Sequence, residues 1–426
     1  MTPPRPARSL LAALALAVLA PAAHAQVKHL PASIQLGEGS AQPNDAPLAI
    51  PHAAPRRAPV GARPMSLRMA ESVMRRDSIV HREWDYTAGL VLLALDRVGQ
   101  RTGDRRFHDY VRRNMDRLVN ADGSIRTYEI KEFNLDQINQ GRLLFPLAER
   151  TRDARWMKAA DTLRAQLARH PRTKEGGFWH KQVYPHQMWL DGLYMAQPFY
   201  AQYAVAHRDT AALSDVTRQF LLVARHTRDP RTGLMYHAWD AARKQPWADS
   251  ATGLSANFWG RAMGWYVVGV VETLDQLPAT HPDRAAIIRT LRDAAEGIAR
   301  VQDPLTGLWW DVLDQPNREG NYLEGSASSM FAYALAKAAR LGYVDARYRQ
   351  VAERGFDGLL ANLVKENPDG TVSLTNIVQV SGLGGSPRKD GSPRDGSYGY
   401  YVSEPVVTDD YKGVGPFILA ALELGR

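Results

Sequence analysis

Two kinds of helical segment alternate along the chain from residue 65 to its end, and this alternation constrains the fold more than any other feature. One kind opens with small residues and is apolar on nearly every side, which is typical of a helix buried all round. It comprises residues 87–98, 138–149, 191–205, 260–274, 325–339 and 413–424. The other kind is amphipathic, with one face in water. It comprises residues 66–76, 104–118, 154–169, 210–225, 283–300 and 346–363.

The strict alternation of these segments predicts an all-α fold, a closed (α/α)6 barrel of six helical hairpins with the buried helices inside. The connections that follow amphipathic segments also repeat, as in DPRTGLMYHAWD from Asp229 and DPLTGLWWDVLD from Asp303. Their Pro/Gly turns lead into a short extended piece. In a ring of hairpins, all loops that enter the inner helices lie at one rim, where we expect the pocket.

The first residues carry the pattern of an export signal. Arg5 and Arg8 precede an apolar run over residues 10–19, and Ala23-His24-Ala25 supplies a small-x-small cleavage site. We therefore predict a signal peptide over residues 1–25, a Pro/Ala-rich disordered leader over 26–64 and a catalytic domain over 65–426. Because the apolar run is too short to span a bilayer, we expect a periplasmic or secreted protein that does not bind a membrane.

Composition excludes several classes of site. The chain has no cysteine, which excludes disulfides and thiolate ligands. Its 12 histidines form neither HxxxH nor HExxH, so neither a metal nor another cofactor is predicted. The formal net charge is +8, but no basic run with interleaved aromatic residues exists, so nucleic acid is not an expected partner. The oligomeric state is left open.

Polar and aromatic residues gather where the inner helices are predicted to begin. Charged groups beside apolar helices are costly to bury unless they are paired or used. The residues concerned are Asp136, Lys181, Asp191, His237, Trp259, Arg261, Trp265, Glu324 and Lys412.

These residues also have purely structural interpretations. Asp191 and Asp136 could cap helices, and His237 could be a buried structural histidine. Arg261 is harder to explain in this way, because a guanidinium next to glycine and between two tryptophans needs a carboxylate partner or a ligand. Two carboxylates, a histidine, an arginine and two tryptophans together suit an acidic sugar. The rings stack on it, the arginine pairs with its carboxylate, and a carboxyl group moves the proton.

Four stretches of the chain resemble a known family. They are HQMWLDGLYMAQPF from His186, TGLSANFWGRAMGWY from Thr252, NYLEGSASSMFAYAL from Asn321 and YYVSEPVVTDDYKGVGPFILA from Tyr400. In these stretches the chain resembles the unsaturated rhamnogalacturonyl hydrolases, glycoside hydrolase family 105. The resemblance implies a six-hairpin helical barrel and removal of a terminal 4,5-unsaturated galacturonic acid from rhamnogalacturonan (pectin) oligosaccharides.

The resemblance also implies a set of site residues and a reaction. Three would be catalytic and six would bind the acidic oligosaccharide: Asp191, Asp136 and His237, and Trp259, Arg261, Trp265, Lys181, Met195 and Lys412. Protonated Asp191 would give its proton to C4 of the enol ether. Water would then add at C5, and either Asp191 or His237 would take the proton of that water. The resulting hemiketal opens and releases the rest of the chain.

Three other functions remain as alternatives. An unsaturated glucuronyl hydrolase would share the barrel and the catalytic aspartate and differ in the sugar that follows the uronate. A sugar 2-epimerase on the same fold would need paired histidines, and His237 has no obvious companion. A non-catalytic carbohydrate-binding protein would use the tryptophans and Arg261 equally well, but would not need Asp191.

Overall fold

The computed structural model describes Met1, the backbone of Gln42–Asn44, and residues 52–56, 63–388 and 390–426. Beyond Met1, the predicted signal peptide lies outside the described residues, as does most of the predicted leader. Both remain predictions.

Along the described residues, helices form six hairpins, each with an outer element followed by an inner one. Four hairpins consist of two helices each: α1 (Met65–Arg76) with α2 (Tyr86–Thr102), α5 (Arg155–Arg169) with α6 (Leu190–Ala206), α7 (Thr210–Thr227) with α8 (Gly260–Leu274), and α9 (Arg284–Arg300) with α10 (Gly325–Arg340). In the second hairpin, α3 (Arg105–Asp116) is followed by the 3-10 helix Leu135–Leu143, which continues into α4 (Leu144–Thr151). In the sixth hairpin, α11 (Arg347–Asn362) is followed by the short α12 (Tyr398–Val402) and then by the inner helix α13 (Tyr411–Leu424).

The inner elements close into a ring. Each packs against the next, in the order α2, 3-10 helix, α6, α8, α10 and α13, and α13 packs back onto α2. Small residues make this closure possible, because a Cβ added at Gly415 of α13 would lie 2.7 Å from Leu90 Cγ in α2. Every residue of α8 is buried, as a helix with neighbours on all sides requires. The predicted six-hairpin barrel is therefore confirmed.

The second inner element differs from its predicted form. The sequence predicts a continuous helix over residues 138–149, but the chain begins earlier as the 3-10 helix Leu135–Leu143 and only then becomes α4. Two contacts hold this start. The Asp136 N–H donates to Asn134 Oδ1 at 3.0 Å, and the Leu135 N–H donates to the His180 carbonyl at 3.1 Å. Runs of 3-10 helix this long are uncommon. This one places Asp136 beside the segment that carries His180.

Short strands connect the helices at one end of the barrel. β2 (Gln187–Trp189) pairs antiparallel with β3 (Ala238–Asp240), directly before α6. β4 (Val364–Glu366) pairs with β5 (Val372–Leu374). β6 (Ile377–Val378) and β1 (Gln42–Asn44) both pair with β7 (Val406–Thr408), which precedes α13. Part of the predicted leader therefore pairs with the barrel domain.

None of the described helices is a candidate for a membrane span. Among the described residues, no helix combines the length and the apolar character that crossing a bilayer requires.

Candidate active site

A two-stranded hairpin brings Asp191 and His237 together. Trp189 lies opposite Ala238 in the β2–β3 ladder, and the Leu190 N–H donates to the His237 carbonyl at 3.1 Å. Asp191 follows in the first turn of α6, and His237 Nε2 lies 3.2 Å from Asp191 Oδ2. The backbone pairing thus fixes the distance between two side chains that come from different hairpins.

Neither predicted catalytic aspartate is a helix cap, so the structural interpretation of both is wrong. The N-cap of α6 is Trp189, which makes no side-chain capping bond, and Asp191 lies two residues further on. The 3-10 helix is capped by the Asn134 side chain, with Asp136 inside its first turn. Both carboxylates are therefore available for other contacts.

Asp136 forms a buried ion pair with Lys181. Lys181 Nζ lies 2.7 Å from Asp136 Oδ2, and His180 Nε2 lies 3.5 Å from Asp136 Oδ1. Burial acts to raise the pKa of Asp136, but the adjacent Lys181 ammonium lowers it, and the pKa falls below its ordinary value. Burial likewise acts to lower the pKa of Lys181, yet the Asp136 carboxylate raises it above its ordinary value. Asp136 is thus ionised and Lys181 is charged.

A stack of rings lies between the two carboxylates. The Trp189 ring stacks on His180, with centroids 4.5 Å apart, and on Tyr184, at 4.9 Å, and His180 and Tyr184 are parallel to each other at 6.3 Å. Its edge meets His237, with centroids 5.4 Å apart. Burial lowers the pKa of His180 to about 4, so its ring is uncharged at neutral pH. This array is a rigid aromatic wall of the kind on which a sugar face packs.

Trp259 forms the opposite side of His237. Its ring lies 4.8 Å from His237, and its Nε1–H donates to Asp311 Oδ1 at 3.0 Å. Burial, reinforced by the nearby Glu324 charge, raises the pKa of Asp311 well above its ordinary value. Asp311 therefore fixes the indole through its Nε1–H, and burial favours the uncharged form of this carboxyl group.

Arg261 is buried among protein acceptors. Its guanidinium donates to Ser326 Oγ at 2.8 Å, to the Gln379 carbonyl at 3.3 Å and to the Val378 carbonyl. Glu324, at 3.7 Å, is the carboxylate partner that the sequence required. Contact with a substrate carboxylate stays a prediction.

Three other predicted binding residues are also buried. Trp265 is 1% exposed, stacks on Tyr194 at 4.8 Å and meets the edge of Tyr86 at 6.4 Å. Met195 is buried one turn after Asp191 in α6. Lys412 is buried with Asp410, whose Oδ2 accepts from Nζ at 2.8 Å. Their roles in binding stay predictions.

Three residues that sequence reasoning did not single out belong to this cluster. Tyr401 Oη lies 2.8 Å from His237 Nδ1, His180 is near both aspartates, and Tyr86 is partly buried near the charges of Asp136 and Arg261. Tyr401 lies in the YYVSEP stretch before the sixth inner helix, which was the available signal. The contact spans 164 positions of sequence, so no local pattern indicates it.

The cluster carries no metal-binding geometry. Within the described ranges, no three His, Asp or Glu side chains converge so that they could hold a metal ion.

The six-hairpin barrel and its site of two carboxylates, a histidine and stacked aromatic rings define the class of helical-barrel glycosidases. A family model described as Glycosyl Hydrolase Family 88 matches residues 65–426. A solved glycoside hydrolase from family 105 of C. acetobutylicum is 42% identical with a TM-score of 0.82, over 85% of this chain and 99% of that chain. The chain therefore belongs to this group of hydrolases, as a member of glycoside hydrolase family 105.

The chain is also similar to two curated proteins. Protein Atu3128 of Agrobacterium fabrum is 40% identical over 233 residues, which are 54% of this chain and 97% of the relative. The unsaturated rhamnogalacturonyl hydrolase YesR of Bacillus subtilis is 28% identical over 309 residues, 71% of this chain and 82% of the relative. The resemblance seen in the sequence is thus confirmed. The chain is a glycoside hydrolase, so the binding-protein and epimerase alternatives are set aside.

Proposed function

We propose that the enzyme removes a terminal 4,5-unsaturated galacturonic acid from rhamnogalacturonan oligosaccharides. The observation that carries the proposal is the pair of carboxylates in unlike surroundings. Asp136 is kept ionised by Lys181 at 2.7 Å, while Asp191 faces the His237 ring at 3.2 Å. Two carboxyl groups with different partners are the arrangement that separates a proton donor from an ionised neighbour. The name of the relative YesR supports the same substrate class.

The reaction begins at the enol ether of the unsaturated sugar, which is basic at C4. Protonated Asp191 delivers its proton to C4, and the positive charge that develops on C5 and the ring oxygen is stabilised by ionised Asp136. Water then adds at C5 and its proton returns to the site. The hemiketal opens at the C5–ring oxygen bond, and the hemiacetal left at C1 expels the aglycone. One water is consumed, so hydration ends as hydrolysis.

The other predicted residues hold the substrate. Trp259 and Trp265 supply ring faces, Arg261 and Lys412 supply positive charge for the uronate carboxylate, and Met195 packs against the sugar. Aromatic faces and cations are the groups that bind an acidic sugar most directly. The supporting observation is proximity, because Trp259 lies 4.8 Å from His237 and the Arg261 guanidinium lies 5.6 Å from the Trp259 ring.

Export belongs to the same proposal. Arg5, Arg8 and the apolar run that follows support a Sec-type signal and a periplasmic or secreted enzyme. Oligosaccharides left by an extracellular polysaccharide lyase would meet the enzyme there.

The test follows the ultraviolet band of the enol ether while purified protein is mixed with lyase-generated unsaturated rhamnogalacturonan disaccharide. We expect the band to fall with the wild type and with the exposed control Asp161→Asn. Asp191→Asn should lose turnover by at least about 100-fold while still binding the disaccharide, because an amide cannot supply the proton.

Activity on unsaturated glucuronides alone would show that the enzyme is an unsaturated glucuronyl hydrolase. A flat trace with every unsaturated uronide would overturn the proposal.

A further inference from the structure

Tyr401, His237 and Asp191 form a buried chain of three polar side chains. Tyr401 Oη lies 2.8 Å from His237 Nδ1, and His237 Nε2 lies 3.2 Å from Asp191 Oδ2. His237 and Tyr401 are fully buried, and the Asp191 side chain is only 13% exposed. With protein on nearly every side, the hydrogen-bond donors and acceptors of this chain can be counted.

The first donor to assign is the Tyr401 hydroxyl. Among the described residues, its hydroxyl has His237 Nδ1 as its hydrogen-bond partner and no other. Burial, with the nearby Tyr400 and Asp191, raises the pKa of Tyr401 well above its ordinary value, so the hydroxyl keeps its proton. If Nδ1 carried a hydrogen, the phenol would accept it and its own proton would be buried without an acceptor. A buried hydrogen-bond donor that has no acceptor is unfavourable. Tyr401 therefore donates to Nδ1.

The protonation state of Nε2, the other ring nitrogen of His237, follows from this assignment. A neutral imidazole carries one hydrogen, so with Nδ1 accepting, the hydrogen lies on Nε2. Nε2 and Asp191 Oδ2 are both buried, and in the described part of the chain neither of them forms a hydrogen bond. They are 3.2 Å apart but not aligned for a linear bond. Catalytic hydrogen bonds are often loose in a free enzyme and tighten when substrate binds.

We propose that Tyr401 is a positioning residue that fixes the tautomer of His237, so that Nε2–H donates to Asp191 and Asp191 alone transfers protons in the reaction. This inference rests on the proposed hydration of an unsaturated uronide. It decides whether Asp191 or His237 takes the proton of the attacking water. A His237 ring whose Nδ1 accepts from Tyr401 and whose Nε2 carries a hydrogen has no free lone pair to accept that proton.

Each proton in the reaction is then accounted for. Asp191 Oδ2 accepts from His237 Nε2–H, so the acidic proton of Asp191 sits on Oδ1 and passes from there to C4. The carboxylate that forms is stabilised by the same N–H. Water bonds to C5 and gives one proton to Asp191, which regenerates the acid. His237 begins and ends the cycle uncharged.

Kinetics of four variants of the full chain test this assignment. Tyr401→Phe should lower kcat about 10- to 100-fold with KM nearly unchanged, since it alters proton transfer and not binding. Tyr266→Phe is the matched control, because it removes a buried hydroxyl that donates to Thr290 Oγ1 at 2.9 Å away from the site. His237→Gln should keep at least about tenfold more activity than His237→Ala, because an amide donates N–H but is not a base. Equal losses in the two His237 variants would overturn the inference.

A second measurement does not depend on turnover. The ring nitrogens of His237 can be observed by ¹⁵N NMR of the full chain and assigned by their absence in His237→Gln. We expect the Nε2–H tautomer in the wild type and a mixture of tautomers in Tyr401→Phe. An Nδ1–H tautomer or a charged ring in the wild type would refute the role of Tyr401. An Nε2–H ring in a protein that cleaves no unsaturated uronide would refute the proposed function and leave the tautomer assignment standing.

Discussion

At the scale of single residues, the site is organised by which side chains carry fixed charge. Lys181 neutralises Asp136, and burial leaves His180 uncharged with a pKa of about 4. Asp191 has no Lys or Arg ion pair among the described residues, and its Oδ2 lies 3.2 Å from His237 Nε2. An ionised group beside a cation is a poor proton donor at neutral pH. In the proposed reaction, Asp136 would therefore stabilise positive charge and Asp191 would donate the proton.

Replacing Lys181 with Met tests this division of roles. The change leaves the Asp136 carboxylate buried without its cation, which costs about 3–5 kcal/mol of stability at pH 7. The pKa of Asp136 is lowered in the folded protein, so its contribution is present above its unfolded pKa and is lost as pH falls through the folded value. The deficit of Lys181→Met should therefore shrink at pH values where Asp136 takes up a proton. Urea unfolding at several pH values measures this.

Two comparisons make the Lys181 result specific. Lys365→Met removes an exposed lysine and should change stability by less than about 0.5 kcal/mol. Combining Lys181→Met with Asp136→Asn should be less destabilising than the sum of the single changes, because the two groups are paired. Additive changes would show that the pair contributes nothing.

At the scale of helices and strands, periodicity predicted far more of the fold than of the site. Apart from the second inner element, which begins as the 3-10 helix Leu135–Leu143, the inner and outer helices lie where the apolar patterns place them, because each is buried or amphipathic along its whole length. The pairing of Trp189 with Ala238 joins residues from different hairpins, and the contact of His237 with Tyr401 spans 164 positions. Such contacts depend on ring closure and leave no local signature, which is why Tyr401 and His180 were missed.

Ring closure itself can be tested at Gly415. In the interior of a helix, alanine is favoured over glycine by about 1 kcal/mol. A methyl group at Gly415 would, however, lie 2.7 Å from Leu90 Cγ and 3.2 Å from the Leu90 carbonyl, so α13 must move away from α2. We expect Gly415→Ala to lower the free energy of unfolding by about 1–3 kcal/mol. Gly399→Ala, in α12, meets no atom within 4 Å and should be neutral or stabilising. Equal effects of the two substitutions on the free energy of unfolding would contradict close packing between α13 and α2.

At the scale of the whole molecule, the candidate active site and a buried cluster of charged residues lie at different ends of the barrel. The site lies where the inner helices begin, whereas the carboxyl ends of α2, α8, α10 and α13 surround a cavity of about 580 Å³ lined by charged residues. Cations near helix carboxyl ends are favourable, because the helix dipole is negative there. Glu272 is the centre of this charge cluster, with Lys337 Nζ at 2.8 Å, Arg97 Nη1 at 2.9 Å, and Arg142. These partners come from three other inner elements.

Glu272→Gln should therefore destabilise the barrel without changing its chemistry. Burial acts to raise the pKa of Glu272, but Arg97, Lys337 and Arg142 hold it well below its ordinary value, so the carboxylate is ionised. Its loss leaves Arg97 and Arg142 without a carboxylate partner among the described residues, while Lys337 keeps Asp275, and should cost about 3–5 kcal/mol. Glu423→Gln, at the same end, breaks a pair whose arginine is 50% exposed and should cost at most about 1 kcal/mol. Denaturant unfolding gives the difference in stability, and kcat on unsaturated uronide should be unchanged in both folded variants. A selective fall in kcat for Glu272→Gln would show that the two ends of the barrel are coupled.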